Sequence, residues 1–247
     1  MNDPWHTLRR FTQARIAQGR SGSSLPTDAL LDFQLAHASA RDAIHQKWDF
    51  SQFVLDIHRM GLKPLCLNTQ VSNRMEYLQR PDKGRSLDQA SRELLQTASG
   101  STVDAVITIS NGLSSTAMEK HGLAFLQVLA ERFNLSPLSL GPICLIPNAR
   151  VAVSDEIGSL LNARLSIILI GERPGLSAAD SIGCYLTYAP KIGNTDAERN
   201  CLSNIREPEG LSYHAAATKL LYLGTEAIRR RISGVTLKDD KPMALLG

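Results

Sequence analysis

Residues 164–175 read Arg164-Leu165-Ser166-Ile167-Ile168-Leu169-Ile170-Gly171-Glu172-Arg173-Pro174-Gly175. The run from Leu165 to Ile170, aliphatic except for Ser166, has the length and composition of a strand buried on both faces, and it stops at Gly171. The loop that follows carries a carboxylate, a guanidinium and two glycines. Ligands of open parallel sheets gather beyond the carboxyl ends of the strands, which makes Gly171–Gly175 a candidate binding element. Pro174 biases Arg173 towards an extended backbone. The same residues also suit an ordinary strand-to-helix turn with a surface ion pair, and loop chemistry alone does not separate the two.

Outward from this strand the pattern alternates. Val103 to Ile109 reads as a core strand ending at Ser110-Asn111-Gly112-Leu113-Ser114-Ser115. A helix from Thr116 to about Phe133 returns the chain for a strand at Pro142 to Ile146. Ser154 is placed to cap the next helix, through Ile157, Leu160 and Leu161, which feeds the strand at 165–170. Cys184 to Tyr188 is a further strand, and Leu211 to about Ile232 a closing helix. Upstream, Leu62 to Leu67 reads as a short extended segment, and Ser86-Leu87-Asp88-Gln89 has capping-box spacing for a helix to about Thr97. Strand and helix at these spacings mean βαβ units. The expected fold class is α/β: a Rossmann-like, mostly parallel sheet with helices on both faces.

The first quarter reads as helical instead. Trp5, Leu8, Thr12 and Ile16 share one side of a helix that starts with Asp3 as N-cap and Pro4 at its first position and ends near Gly19. A second helix follows Pro26 to about His45, with Leu31, Leu35 and Ala38 on its apolar face. A third, about Ser51 to Met60, carries Phe53, Val54 and Ile57 and ends at Gly61. The expected division is an N-terminal helical extension, residues 1–61, and a Rossmann-like domain, residues 62–247. Residues from Lys238 onward read as a loose tail.

At 247 residues, 43% hydrophobic and 21% charged, the chain has an ordinary globular composition. A formal net charge of +3 with scattered basic residues gives no argument for nucleic acid. Arg229-Arg230-Arg231 lie on the solvated side of a helix whose other side is Leu220, Leu221 and Ile228. Four widely spaced cysteines and no signal peptide favour reduced thiols, and no stretch approaches the ~18 apolar residues of a membrane span.

Several motifs tempt. Asp56-Ile57-His58-Arg59-Met60-Gly61 fits the D-x-H-x-x-G pattern in which a loop histidine ligates the cobalt of a cobalamin. That chemistry needs a loop after the first sheet strand, whereas these residues finish an amphipathic helix and no Gly-Gly follows downstream. His58 is better explained as a last-turn residue favourable to the helix dipole. No G-x-G-x-x-G joins a strand to a helix, the serines of 110–115 do not form a G-x-S-x-G elbow, and metal-ligand spacings of cysteine or histidine do not occur. Cys201, in Asn200-Cys201-Leu202-Ser203-Asn204-Ile205, reads on pattern alone as a small buried apolar residue. A binding fold without a catalytic set points to a ligand-holding subunit as much as to an enzyme.

Five stretches in order carry a family resemblance: Ala14 to Gly22 (ARIAQGRSG), Arg80 to Arg85 (RPDKGR), Ile109 to Ser114 (ISNGLS), Gly171 to Leu176 (GERPGL) and Cys201 to Ile205 (CLSNI). Together they resemble the small subunit of ethanolamine ammonia-lyase over nearly the whole chain. The resemblance implies adenosylcobalamin as cofactor, lying between this subunit and a TIM-barrel large subunit that binds ethanolamine. The cofactor keeps its own benzimidazole on cobalt, and its radical chemistry takes ethanolamine to acetaldehyde and ammonia. The cofactor contacts implied here are Val151, Glu172 and Cys201, with no catalytic residue and no metal ligand from this chain. Asn111 stands where the family can carry aspartate. The implied location is the cytoplasm. Packaging in a bacterial microcompartment stays open, because the sequence starts near the first motif without the longer leader of some relatives. The alternative is a self-sufficient α/β hydrolase or transferase.

Overall fold

A computed structural model describes residues 5–240. The proposed cap at Asp3 and Pro4, and the end of the tail from residue 241, lie outside the described residues.

The body is a six-stranded sheet of order β1-β3-β2-β4-β5-β6. Strands β1 (Pro64–Cys66), β2 (Val103–Ser110), β3 (Leu140–Leu145) and β4 (Ala163–Gly171) pair in parallel, while β5 (Ile182–Tyr188) and β6 (Arg199–Ile205) run antiparallel. The expected α/β class and mostly parallel sheet are both present. β6 was not foreseen, because Arg199-Asn200-Cys201-Leu202-Ser203-Asn204-Ile205 is poor in β-branched and aromatic residues.

Alternation in β4 explains the layering. Leu165, Ile167 and Leu169 enter a core formed with α2 (Ser51–Arg59), α6 (Leu123–Asn134) and α8 (Tyr213–Arg230), through Phe53, Ile57, Phe125, Leu129, Leu220 and Leu223. Ile168 and Ile170 enter a second core on the other face, with Leu95 of α4 (Gln89–Ala98) and Val153 and Ile157 of α7 (Val153–Leu160). The parallel half is therefore covered on both sides, as expected for a parallel sheet. The antiparallel half is not. α8 packs on β5 and β6 through Cys184 and Leu186, but α7 lies over β2 and β4. On that side Tyr185 is half-buried, and Cys201 and Ser203 are exposed.

Several local expectations change. Trp5 to Ile16 is not one helix: a 3₁₀ turn covers only His6–Phe11 and buries nothing. α1 (Thr27–His45) forms as expected, yet its buried residues are Ala40 and Ala43, while Leu31 and Leu35 are 58% and 68% exposed. The apolar stripe read from the sequence is present, and the described residues leave it uncovered. Asp88, not Ser86, caps α4 by accepting from the Ser91 amide at 2.8 Å. Ser154 lies inside α7 and donates to the Val151 carbonyl at 2.8 Å instead of capping it. The short helix α3 (Arg74–Gln79), capped by Asn73, had no apolar periodicity to announce it. The long helix after β2 forms as α5 (Ser115–Ala117), a π turn (Met118–Gly122) and α6. α2 ends at Gly61 with φ +73°, the left-handed stop anticipated for glycine. Among the described residues no helix is long and apolar enough to cross a membrane.

Candidate functional site

The natural ligand crevice of this topology lies between the carboxyl ends of β2 and β4, where the chain leaves in opposite directions. Backbone closes it. The Leu113 amide donates to the Gly171 carbonyl at 2.9 Å, and a Cβ on Gly171 would stand 2.2 Å from the Ser114 carbonyl oxygen. Gly112 lies at φ +47°, and a Cβ there would stand 2.4 Å from the Gly171 oxygen. Only glycine lets the two loops meet this closely.

The serine-rich loop is spent on the same closure. Ser110 Oγ accepts from the Ala149 amide at 3.1 Å. Ser114 Oγ donates to the Ala179 carbonyl at 2.8 Å, and Ser115 Oγ to the Gln46 carbonyl at 2.8 Å. Asn111, 2% exposed, accepts from the Asn148 amide at 2.8 Å and donates to Ser115 Oγ at 3.1 Å. It acts as a neutral linker between loops.

With the crevice closed, the usable hollow lies beside it, over the uncovered side of β5 and β6. It measures about 470 Å³ and is lined by Tyr77, Leu113, Arg150, Val151, Ile170, Gly171, Glu172, Arg173, Tyr185 and Ser203, so the seal at Gly171 forms part of its wall. Val151, from the loop after β3, and Glu172, from the loop after β4, thus line the same wall-and-floor. Cys201 stands at the margin, opposite Tyr185 in the β5–β6 register and hydrogen-bonded to its phenol. The expectation of a buried Cys201 is overturned: the residue is exposed, because β6 turns it to the side that no helix covers. Water is still displaced from around its sulfur, and this raises the thiol above its ordinary pKa. Burial likewise raises the Tyr185 phenol.

Glu172 is held from within. Ser181 Oγ donates to its Oε2 at 2.6 Å, the Asn204 amide donates to Oε2 at 3.1 Å, and Ser203 Oγ donates to Oε1. One carboxylate therefore ties β4's end to the start of β5 and the end of β6. A carboxylate has about four lone-pair sites, so about one on Oε1 is left for a ligand donor. Arg173 is exposed and does not pair with it.

Tyr77, whose hydroxyl donates to the Ala149 carbonyl at 3.1 Å, lies between two guanidiniums: Arg150 is 4.3 Å and Arg74 4.9 Å from its ring centre. Burial lowers the Arg74 pKa and raises that of Tyr77. Arg150 and Val151 also line a second hollow of about 450 Å³, with Pro81, Arg85, Ala152, Asn194 and Thr195. Tyr77, Arg150, Tyr185 and Ser203 were not singled out from the sequence. The rule that selected the loop after β4 applies equally to Asn148-Ala149-Arg150 after β3, and would have found Arg150.

A larger hollow of about 640 Å³ lies between α2 and α6. Its charged groups include the Asp56–Arg59 pair, 2.7 Å apart, and Glu131, which accepts from Gln127 at 3.2 Å. It is on the flank of the sheet, away from the strand ends, and has no converging loops. His58 is exposed on α2 and lines none of these hollows. Among the described residues no three His, Cys, Asp or Glu side chains gather as metal ligands.

Residues 2–238 match the family described as ethanolamine ammonia-lyase light chain (EutC). Curated relatives named ethanolamine ammonia-lyase small subunit align over almost the whole chain. The protein of Pseudomonas paraeruginosa is 52% identical, with 96% of this chain and 88% of the relative covered. That of Azotobacter vinelandii is 52% identical, with 99% and 91% covered. That of Pseudomonas putida is 50% identical, with 97% and 89% covered. The chain therefore belongs to the ethanolamine ammonia-lyase small-subunit family.

Proposed function

We propose that this chain is the cofactor-holding small subunit of an adenosylcobalamin-dependent ethanolamine ammonia-lyase, working in the cytoplasm as part of a hetero-oligomer with a TIM-barrel large subunit. The observation that carries the proposal is the uncovered side of β5 and β6, where Val151 and Glu172 meet Tyr185 and Ser203 around one hollow with Cys201 at its edge. The residues fit a cobalamin. Val151, Leu113, Ile170 and the Tyr185 ring give apolar area for a corrin, and the remaining lone pair of Glu172 suits one of its amide side chains. When bound, adenosylcobalamin supplies the radical chemistry that takes ethanolamine to acetaldehyde and ammonia. The residues of this chain hold and orient it and keep water from one side. His58 lines none of this hollow and would supply no ligand to the cofactor there.

A hollow of about 470 Å³ seats only part of so large a molecule, so a second surface has to complete the enclosure. The uncovered apolar side chains support this. Leu31, Leu35 and Phe11 are 58%, 68% and 73% exposed, upstream of α2, whose Phe53 and Ile57 enter the main core; we take residues 1–61 as the N-terminal helical extension and 62–247 as the cobalamin-binding domain. Leu31 and Leu35, four residues apart on α1, share one exposed face, and an exposed apolar face of this kind suits a contact surface. A self-sufficient hydrolase gains no support, since the Ser114 and Ser115 hydroxyls donate to backbone carbonyls.

Co-expression with the large subunit tests the proposal. The two-subunit complex is expected to bind cobalamin with a shifted absorption spectrum and to release ammonia from ethanolamine, while the isolated small subunit binds weakly and turns nothing over. Full turnover by the isolated chain would refute it.

A further inference from the structure

The second hollow adjoins the first across the Arg150–Val151 ridge, and its chemistry differs. Arg150 is anchored by its backbone, whose amide donates to the Gly84 carbonyl at 2.7 Å, and by its stacking on Tyr77. Its guanidinium has five donors, and one terminal nitrogen donates to the Tyr77 carbonyl at 3.3 Å. Nε is buried without a hydrogen-bond partner, and among the described residues no carboxylate pairs with Arg150. Arg85, which follows the Gly84 that touches Arg150 and lines the same hollow, is exposed and likewise has no carboxylate partner among the described residues.

The nearby acids are engaged elsewhere. Glu76 pairs with Lys83, Asp82 with Arg80 at 2.7 Å, Glu156 with Arg92 at 2.5 Å, and Asp196 of the hollow's own rim with Arg199 at 2.9 Å. The half-buried Arg74 guanidinium, on the far side of Tyr77, adds positive charge and also keeps one buried nitrogen without a partner. A buried guanidinium with unspent donors and no counter-ion is costly unless an anion completes it. The planar fork of Arg150 matches a phosphoryl group, and its neighbour Val151 already lines the hollow proposed for the corrin.

We propose that Arg150, with Arg85 of the same hollow, binds the phosphodiester of the cobalamin's nucleotide tail, so that the corrin and its tail occupy the two hollows on either side of the ridge. This rests on the cobalamin reading and goes beyond it by assigning an anion subsite. Arg150 supplies the forked contact. Arg85, exposed, supplies charge.

The test is corrinoid binding by the reconstituted two-subunit apoenzyme, read from absorption changes. Three ligands are compared: cobalamin, cobinamide, which lacks the nucleotide tail, and cobinamide phosphate, which adds the phosphoryl group without the base. The wild type is expected to prefer cobinamide phosphate to cobinamide by roughly ten-fold or more, the size of one charge-assisted contact. Arg150→Met abolishes that preference, Arg150→Lys keeps part of it, and Arg85→Met reduces it by a smaller factor while leaving cobinamide affinity within about two-fold. Inorganic phosphate competes with cobinamide phosphate and not with cobinamide. Arg85→Met alters an exposed side chain, so it carries the test if Arg150→Met folds poorly. A wild type that binds cobalamin but shows no preference for the phosphate, or a preference that survives both substitutions, overturns the subsite and leaves the cobalamin reading standing. A wild-type complex that binds none of the three corrinoids overturns both.

Discussion

The two halves of the sheet solve opposite problems. In the parallel half every strand is sandwiched between helices, and even the crevice at the strand ends is sealed by Gly112 and Gly171. In the antiparallel half α8 covers one side, while on the other α7 reaches only Thr187 and Arg199, so Tyr185, Cys201 and Ser203 face outward beside Glu172. The contrast teaches that where the strand-end crevice of an open α/β sheet is filled by its own loops, the open space moves to the adjoining loops and the uncovered part of the neighbouring strands. The link between the halves is specific. Arg199 of β6, buried under α7, pairs with Asp155 and donates to the Asn194 carbonyl at 2.8 Å.

Breaking that link has the largest expected effect. Arg199→Met leaves Asp155 unpaired in the interior and is expected to cost on the order of 3–5 kcal/mol in urea unfolding. Burial already raises the Asp155 carboxyl above its ordinary value, against the pull of Arg199. A raised carboxyl favours the folded state below its unfolded pKa and loses that contribution as pH rises through the folded value. The variant is therefore expected to be relatively more stable near about pH 5 than near about pH 8. A pH-independent loss would mean that Asp155 finds another partner.

Next comes the seal. Gly171→Ala pushes a Cβ to 2.2 Å from the Ser114 carbonyl, and is expected to destabilise by about 3 kcal/mol through forced backbone movement. A variant with wild-type stability would show that the two loops separate easily and that the crevice opens. Glu172→Ala sits between the halves in both senses. Removing three internal hydrogen bonds at ~1 kcal/mol or less each should lower apo stability by about 2 kcal/mol, and loss of the ligand acceptor should weaken cobalamin by roughly ten-fold. Glu172→Gln should fall between. Cobalamin affinity that stays level across wild type, Gln and Ala while stability declines would reduce Glu172 to a fastener.

Smaller effects sharpen the comparison at its edges. The hydrogen bond from Lys83 holds the Glu76 carboxyl down to about 2, and Glu76 lies on α3 beside Tyr77. A depressed carboxyl stabilises above its unfolded pKa, so protection of α3 amides in hydrogen exchange should be full above about pH 4.5 and fall as pH approaches about 2. Lys83→Met should move that loss to higher pH. The smallest effect is expected at His58: replacing it with alanine should leave the axial coordination of bound cobalamin unchanged, and loss of a nitrogen coupling in the spin-resonance spectrum would contradict this.

How far the sequence speaks follows the same boundary. β2 and β4, buried on both faces, announce themselves as aliphatic runs, and Gly171-Glu172-Arg173-Pro174-Gly175 is found by its place after such a run. β6 is half covered and edge-placed, so its composition carries no strong period, and with it the orientation of Cys201 and Ser203 is lost. The stripe Leu31–Leu35 is legible as apolar, but periodicity reports that a face wants cover, not that the cover belongs to the same chain. Arg150 stays hidden for a different reason. Its importance lies in unspent donors above a tyrosine 73 positions away, a relation that exists only after folding.

A ligand laid on an uncovered strand face leaves along the direction in which it arrived, away from the sheet. Nothing in β5 or β6 has to bend, and α8, packed on the reverse side, does not have to shift. Exchange of whatever rests on Tyr185 and Val151 is then timed by the departure of the covering surface, and replacing a spent molecule becomes a matter of assembly lifetime.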